Sequence, residues 1–202
     1  GGNSGIGFDP SYRGSGESDG RVQFVADYYP DRQGPRDADL IVCRQVFEHI
    51  PRPVKFLRRL RATIPEAART PLYVEVPSFD YVLKELALWT LIYEHCSYFT
   101  RASATTVFER AGFEVRRAYD CFDGQFLAVE AAPADRSQMD LRRNPVDEAI
   151  SERIAEFAGR LKEKLSRWRG QMRQLLRDHK RVVVWGAGAR AVCFFNLIEG
   201  AA

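Results

Sequence analysis

Between Leu91 and Thr100 the chain reads LIYEHCSYFT, with Glu94, His95 and Cys96 consecutive and Tyr93, Tyr98 and Phe99 around them. Ionisable groups in so apolar a setting are paired or put to use, because burying them alone is costly. An imidazole, with an unperturbed pKa of ~6.5, can take a proton at neutral pH. An adjacent carboxylate can orient the ring, and a phenol can hold a developing oxyanion. The same residue types also fit a helix end, with His95 near the negative pole of the dipole and Glu94 in a surface pair. On residue types alone both readings stand. A metal site of Glu94, His95 and Cys96 is disfavoured, because consecutive side chains point apart and no second ligand cluster accompanies them. No metal is expected. Neighbours on a helix do not face each other, so Glu94 and His95 can share a substrate only where the helix has ended or turned.

Three further acids invite chemistry. Asp9 directly follows the apolar run GIGF and precedes Pro10-Ser11, and Asp27, with Tyr28 beside it, follows VQFV. Each stands where a strand delivers its last residue. Glu48-His49 lies between DLIVCRQVF and IPRP, placed either to line a bound cofactor or to pack on the sheet edge and cap the next helix.

The elements that must position these groups alternate, and strands alternating with helical patterns argue for an α/β sheet. Strands are expected at Gly5–Phe8, Val22–Val25, Asp39–Arg44 and Pro71–Pro77. HIPRPVKFLRRLRATI reads as a helix after its prolines, and DYVLKELALWTLIYEH as a second. SATTVFERAGF is a short helix stopped by Gly112. FEVRRAYDCF and GQFLAVEAA then read as two strands joined through Asp123-Gly124.

Composition shifts at APADRSQMDLRRNP. Asn144 as cap and Pro145 at the first position open a long amphipathic helix, with apolar residues stepping by threes and fours from Val146 to Leu175. Its arginines and lysines read as a solvated face rather than a nucleic-acid arm. RVVVWGAGARAVCFFN follows as strand, Gly186-x-Gly188-x-x-Ala191 turn and helix, the pattern that cradles phosphates. The expected domains are 1–132, a 133–180 linker with the long helix, and 181–202 as the truncated start of a second Rossmann-like unit.

With 45% hydrophobic and 28% charged residues in 202, the chain has the composition of a soluble globular protein. A net charge of +3 gives no reason to expect nucleic acid or membrane as partner. Cys43, Cys96, Cys121 and Cys193 form no CxxC pair and are expected as buried, reduced thiols of a cytoplasmic protein. No apolar run approaches the ~20 residues of a membrane helix.

In order, these pieces resemble class I S-adenosylmethionine-dependent methyltransferases. GIGFDPS is similar to their second strand and its ribose-binding acid, and FVADYYP to the acidic motif beside adenine. ADLIVCRQVFEHIPRPVKFLRRL is similar to the fourth strand, loop and helix, YVEVPSFDYVL to the fifth strand and its exit, and the hairpin to the sixth and seventh. YEHCSYF and the long helix leading to VVVWGAGARAVCFFN narrow the resemblance to sugar C-methyltransferases.

The resemblance implies S-adenosylmethionine as cofactor, with Asp9 on its ribose, Asp27 and Tyr28 at its adenine, and Arg44 and Gln45 along its methionine. It implies His95 as base and Glu94 as its neighbour, with Tyr93 or Tyr98 replacing the hydroxyl of a Tyr-x-Glu-His order that Ile92 interrupts. It implies a nucleotide-linked keto sugar as substrate, methylated on carbon beside the keto group, with Gly186 and Gly188 toward the nucleotide. The first strand and its Gly-rich turn are not in the sequence. A fragment with an unpaired edge beside the fourth strand and weak cofactor binding in isolation is therefore expected. The competing readings are an O- or N-methyltransferase, an NAD-dependent oxidoreductase, and a non-enzymatic nucleotide-binding module.

Overall fold

Runs rich in Val, Ile, Leu and Phe favour half-buried pleated backbone, and in a computed structural model of the chain they form strands at the expected places. The structure describes residues 2–14, 17–18, 20–29, 38–65, 68–135 and 149–198. Strand β1 (Gly5–Phe8) pairs in parallel with β3 (Val22–Val25), and the short β2 (Glu17–Ser18) adds antiparallel to β3. A separate four-stranded sheet has the order β4-β5-β7-β6. Its members are β4 (Ile41–Arg44), β5 (Leu72–Pro77), β6 (Phe113–Cys121) and β7 (Phe126–Pro133). β4 and β5 are parallel, and the β6–β7 hairpin closes the sheet antiparallel to β5. Among the described residues β1 and β4 each have a ladder partner on one side only.

Helix α1 (Pro53–Thr63) starts with Pro at its first position, where the missing N–H costs nothing. Helix α3 (Arg101–Arg110) opens on a reciprocal Thr100–Ser103 capping box and gives way to Gly112 at φ +89°, a conformation that suits glycine. Both helices bury apolar faces against the sheet. Phe47, Leu57, Leu60, Phe108, Phe113, Val74, Leu127 and Val129 form the centre of the core. The ring of Phe47 stacks on Phe99 at 5.1 Å and meets Phe108 edge-on at 5.8 Å. This packing fixes the loop after β4 against the loop before α3.

The second helical candidate is much shorter than its pattern. Helix α2 covers only Phe79–Glu85, capped by the Ser78 side chain. Leu86 then turns into left-handed backbone at φ 56°. It does so because Leu86 and Ala87 are both drawn into the interior, and tertiary burial outweighs helical periodicity. A single 3-10 turn follows at Leu88–Thr90, so residues 91–98 form a loop. The helix has therefore ended well before Glu94 and His95, as their joint use requires.

Helix α4 (Ile150–Arg177) is the long amphipathic helix, while the expected Asn144-Pro145 start lies outside the described residues. Its basic face is partly structural. Arg153 pairs with Asp80 at 2.6 Å, and Arg160 donates to the Leu83 and Lys84 carbonyls at the end of α2. Arg169 donates to the Leu197 carbonyl at the end of α5 (Ala189–Leu197). Cations at helix C-termini complement the dipole.

Two expectations are corrected. Val182–Trp185 forms no strand, because no described strand lies alongside to complete its ladder, and Trp185 is fully exposed. The thiols are not uniformly buried: Cys96 is exposed, and only Cys43 is strongly shifted, its pKa pushed up to about 12 by burial and the nearby Glu48. Among the described residues no helix is long and apolar enough to cross a membrane.

Candidate active site

Strands β1, β3 and β4 deliver their last residues to loops that carry most of the candidate groups. Asp9 follows β1, and its backbone N–H bonds the Val25 carbonyl at the end of β3. Its carboxylate accepts the Ser11 hydroxyl at 2.6 Å and the Ser11 N–H at 2.8 Å, which hold its pKa below the ordinary value. Asp27 accepts the Tyr28 N–H at 2.7 Å, and Tyr28 is largely exposed. Two exposed carboxylates thus stand at the exits of adjacent strands, an acceptor set that fits the hydroxyls and amine of an adenosine.

Arg44 and Gln45 end β4, and both reach inward to Glu75 of β5. Glu75 Oε1 accepts Arg44 Nε at 3.2 Å, Arg44 Nη2 at 3.1 Å and Gln45 Nε2 at 3.1 Å, while Oε2 accepts the Tyr73 hydroxyl at 3.1 Å. Burial pushes the Glu75 carboxyl up, but these hydrogen bonds outweigh it and hold the group below its usual value. Gln45 has left-handed backbone at φ 54°, a conformation rare outside glycine that is often held at functional sites. Glu75 was missed in the sequence, where a lone acid inside PLYVEVP gives no signal of its partners.

His95 is held both within its own loop, where its N–H donates to the Ile92 carbonyl at 3.1 Å, and by contacts across the fold. The Glu48 carbonyl accepts the Cys96 and Ser97 N–H groups at 2.8 and 3.1 Å, and His49 Nδ1–H donates to the Glu94 carbonyl at 2.9 Å. The His49 and His95 rings meet edge to face at 5.0 Å, and Tyr98 lies 6.2 Å from His95 on another side. One ligating atom from each of Glu48, His49 and His95 lies within 4.8 Å of the other two. This set could hold a divalent ion, unlike the consecutive Glu94, His95 and Cys96. Glu48 is 2% exposed, and its Oε2 and the Nδ1 of His95 are buried without a hydrogen-bond partner among the described residues. Burial, then the neighbouring His49, lower the His95 pKa below 6.5. Burial raises that of Glu48.

His95 faces a cleft of about 300 Å³ that Gln45, Tyr81, Trp89, Thr90, Gln125, Phe126 and Arg190 also line. Tyr98 is beside the ring, its hydroxyl 3.5 Å from the Ile92 carbonyl and its pKa raised by burial. The structure does not bring Tyr93 to the cleft; that side chain is fully exposed. Glu94 takes part through its backbone carbonyl, and its residue is exposed. Gly186 (φ +106°) and Gly188 form a turn into α5, and Arg190, two residues on, reaches the cleft. Tyr81, Trp89, Gln125 and Arg190 carried no chemical signal of their own in the sequence.

Residues 2–118 match the family model described as a methyltransferase domain. The chain belongs to the methyltransferase domain family. S-adenosylmethionine is the methyl donor of such enzymes. Over 165 residues this methyltransferase chain is 31% identical to the C-methyltransferase NovU of Streptomyces niveus, across 74% of this chain and 37% of NovU. The chain thus spans about a third of that relative's length. The fold is similar to a chain in the complex of the Trm112 methyltransferase activator with a methyltransferase from Haloferax volcanii. The TM-score there is 0.52 at 14% identity, covering 66% of this chain and 73% of that one. A riboflavin-analogue dimethyltransferase, RosA of Streptomyces davawensis, aligns with a TM-score of 0.45 at 21% identity, over 56% of this chain and 35% of RosA.

Proposed function

We propose that this methyltransferase acts on carbon, at a position beside the keto group of a nucleotide-linked sugar. The observation that carries the reading is His95: an imidazole on the wall of the cleft, its pKa lowered by burial and by His49 so that it is neutral and able to take a proton. A carbon becomes nucleophilic when a base removes the proton next to a carbonyl, because the C–H electron pair then delocalises as an enolate. His95 takes that proton. Tyr98, a protonated phenol whose ring meets that of His95, donates toward the enolate oxygen. S-adenosylmethionine, when bound, supplies the electrophilic methyl group on its sulfonium sulfur. Asp9 holds its ribose, Asp27 and Tyr28 flank its adenine, and Arg44 and Gln45 edge its methionine while tied to Glu75.

The 31% identity to a protein described as a C-methyltransferase supports transfer to carbon over oxygen or nitrogen. Gly186 and Gly188 stand toward the nucleotide end of the substrate. The test is product analysis: incubation with a methyl-labelled donor and a nucleotide-linked keto sugar yields a product whose label survives mild hydrolysis and fragments with the sugar carbon skeleton. Label released as a methyl ether or methylamine fragment would place the enzyme among O- or N-methyltransferases.

A further inference from the structure

The cleft in front of His95 has no acidic side chain among its lining residues, and Arg190 is its one formal cation. The guanidinium lies over the Trp89 ring, 4.4 Å from its centroid. Stacking of this kind fixes the plane of an arginine and leaves its N–H edge to donate. No carboxylate pairs with Arg190 among the described residues, whereas Arg44, Arg101 and Arg153 all have one. The helix that carries Arg190 is itself anchored, by the edge-to-face contact of Phe194 with Trp168 at 5.4 Å and by the Arg169 bond to the Leu197 carbonyl. Around the cation the lining consists of aromatic faces and neutral hydrogen-bonding groups: Tyr81, Thr90, Gln125 and Phe126.

We infer that Arg190, braced on Trp89, is an anion-binding residue that takes a phosphate group of the substrate while the reacting carbon lies at His95. An unpaired guanidinium fork matches two oxygens of a phosphate, and such charge-assisted bonds are roughly twice as strong as neutral ones. The absence of carboxylates from the lining leaves nothing to compete for the cation or repel the ligand. The inference rests on the reading that His95 faces the reacting carbon. It adds that α5 and the 3-10 turn at Leu88–Thr90 together select a phosphorylated substrate.

The experiment measures binding and turnover separately. Equilibrium dialysis of the full chain with a labelled nucleoside diphosphate gives wild-type affinity, to be compared with Arg190→Met, Arg190→Lys and Trp89→Leu. The expected result is a loss of about tenfold or more for Arg190→Met, a smaller one for Arg190→Lys and one of several-fold for Trp89→Leu. In turnover the Arg190→Met loss falls on KM far more than on kcat. Circular dichroism checks that each variant is folded, and the Lys variant keeps the test valid if Met at this position disturbs packing. His95→Asn gives the converse pattern, keeping nucleoside diphosphate affinity and losing proton exchange. Unchanged affinity in folded Arg190→Met and Arg190→Lys overturns the assignment. So does citrate competing as well as pyrophosphate, which would make the site a general carboxylate binder. If Arg190→Met loses affinity while His95→Asn retains exchange, the anion site stands and the base reading fails.

Discussion

Glu75 and Glu48 are each 2% exposed, and each belongs to the same end of the sheet, yet the fold treats them oppositely. Glu75 is surrounded by donors from Arg44, Gln45 and Tyr73, so its charge is stabilised despite burial. Glu48 keeps one oxygen without a partner, beside two imidazoles. A buried polar group left unsatisfied costs stability that a saturated one does not. The comparison separates an acid whose hydrogen bonds tie the ends of β4 and β5 together from one that is buried beside His49 and His95 with an oxygen unsatisfied among the described residues.

Removing Glu75 should have the largest effect on stability. Glu75→Ala leaves Tyr73 and Gln45 without their acceptor, and a loss of about 2–3 kcal/mol is expected from urea melts, at the low end for a broken buried pair because Arg44 is half exposed. Glu48→Gln should cost less than about 1 kcal/mol, since the oxygen it alters has no partner to lose. Equal losses at the two positions would erase the distinction.

Linkage sharpens it. Glu75, with a depressed folded pKa, contributes stability that is present above its ordinary value of 4.5 and is lost as pH falls through the folded pKa. Glu48, with a raised folded pKa, does the reverse: it costs nothing below 4.5 and destabilises as pH climbs through its folded value. The stability difference between Glu48→Gln and wild type should therefore move in favour of the variant as pH rises, while that of Glu75→Gln moves against it. The Glu75 change falls below 4.5 and the Glu48 change above it, so parallel curves in melts from about pH 2 to about pH 8 would show that the two acids do not differ.

Smaller effects concern catalysis. Tyr98→Phe should slow turnover about tenfold, less than the roughly 10²–10³-fold for a fully buried oxyanion donor because Tyr98 is itself 38% exposed, and Tyr93→Phe should be within error of wild type because its ring is in solvent. The acidic limb of kcat/KM, along which activity rises with pH, should have its midpoint below 6.5, since the base is active once deprotonated and burial lowers its pKa. A midpoint above 6.5 would point to another group. Treatment with EDTA should leave turnover unchanged; complete loss restored by zinc would assign Glu48, His49 and His95 to a metal instead.

Much of this was readable before any coordinates. The strands before the long helix, the α1 and α3 helices and the hairpin through Asp123-Gly124 rest on local patterns, and the family order of motifs drew attention to Asp9, Asp27 and His95. What escaped is non-local. The apolar spacing of 80–95 continues past Glu85, and only the burial of Leu86 and Ala87 ends the helix. The partnership of Glu48 with His95 joins residues 47 apart through backbone bonds to Cys96 and Ser97, which no spacing reveals. Arg190 stood out in sequence only as part of a glycine motif, yet its ring partner is Trp89, a hundred residues upstream.

The most direct test of His95 as the base is solvent exchange. With a nucleotide-linked keto sugar in deuterated water, the wild-type protein should incorporate deuterium at the single carbon that is to be methylated. His95→Asn should slow that incorporation by roughly 10²–10⁴-fold while the variant still binds substrate. Exchange at the wild-type rate in His95→Asn would contradict the account.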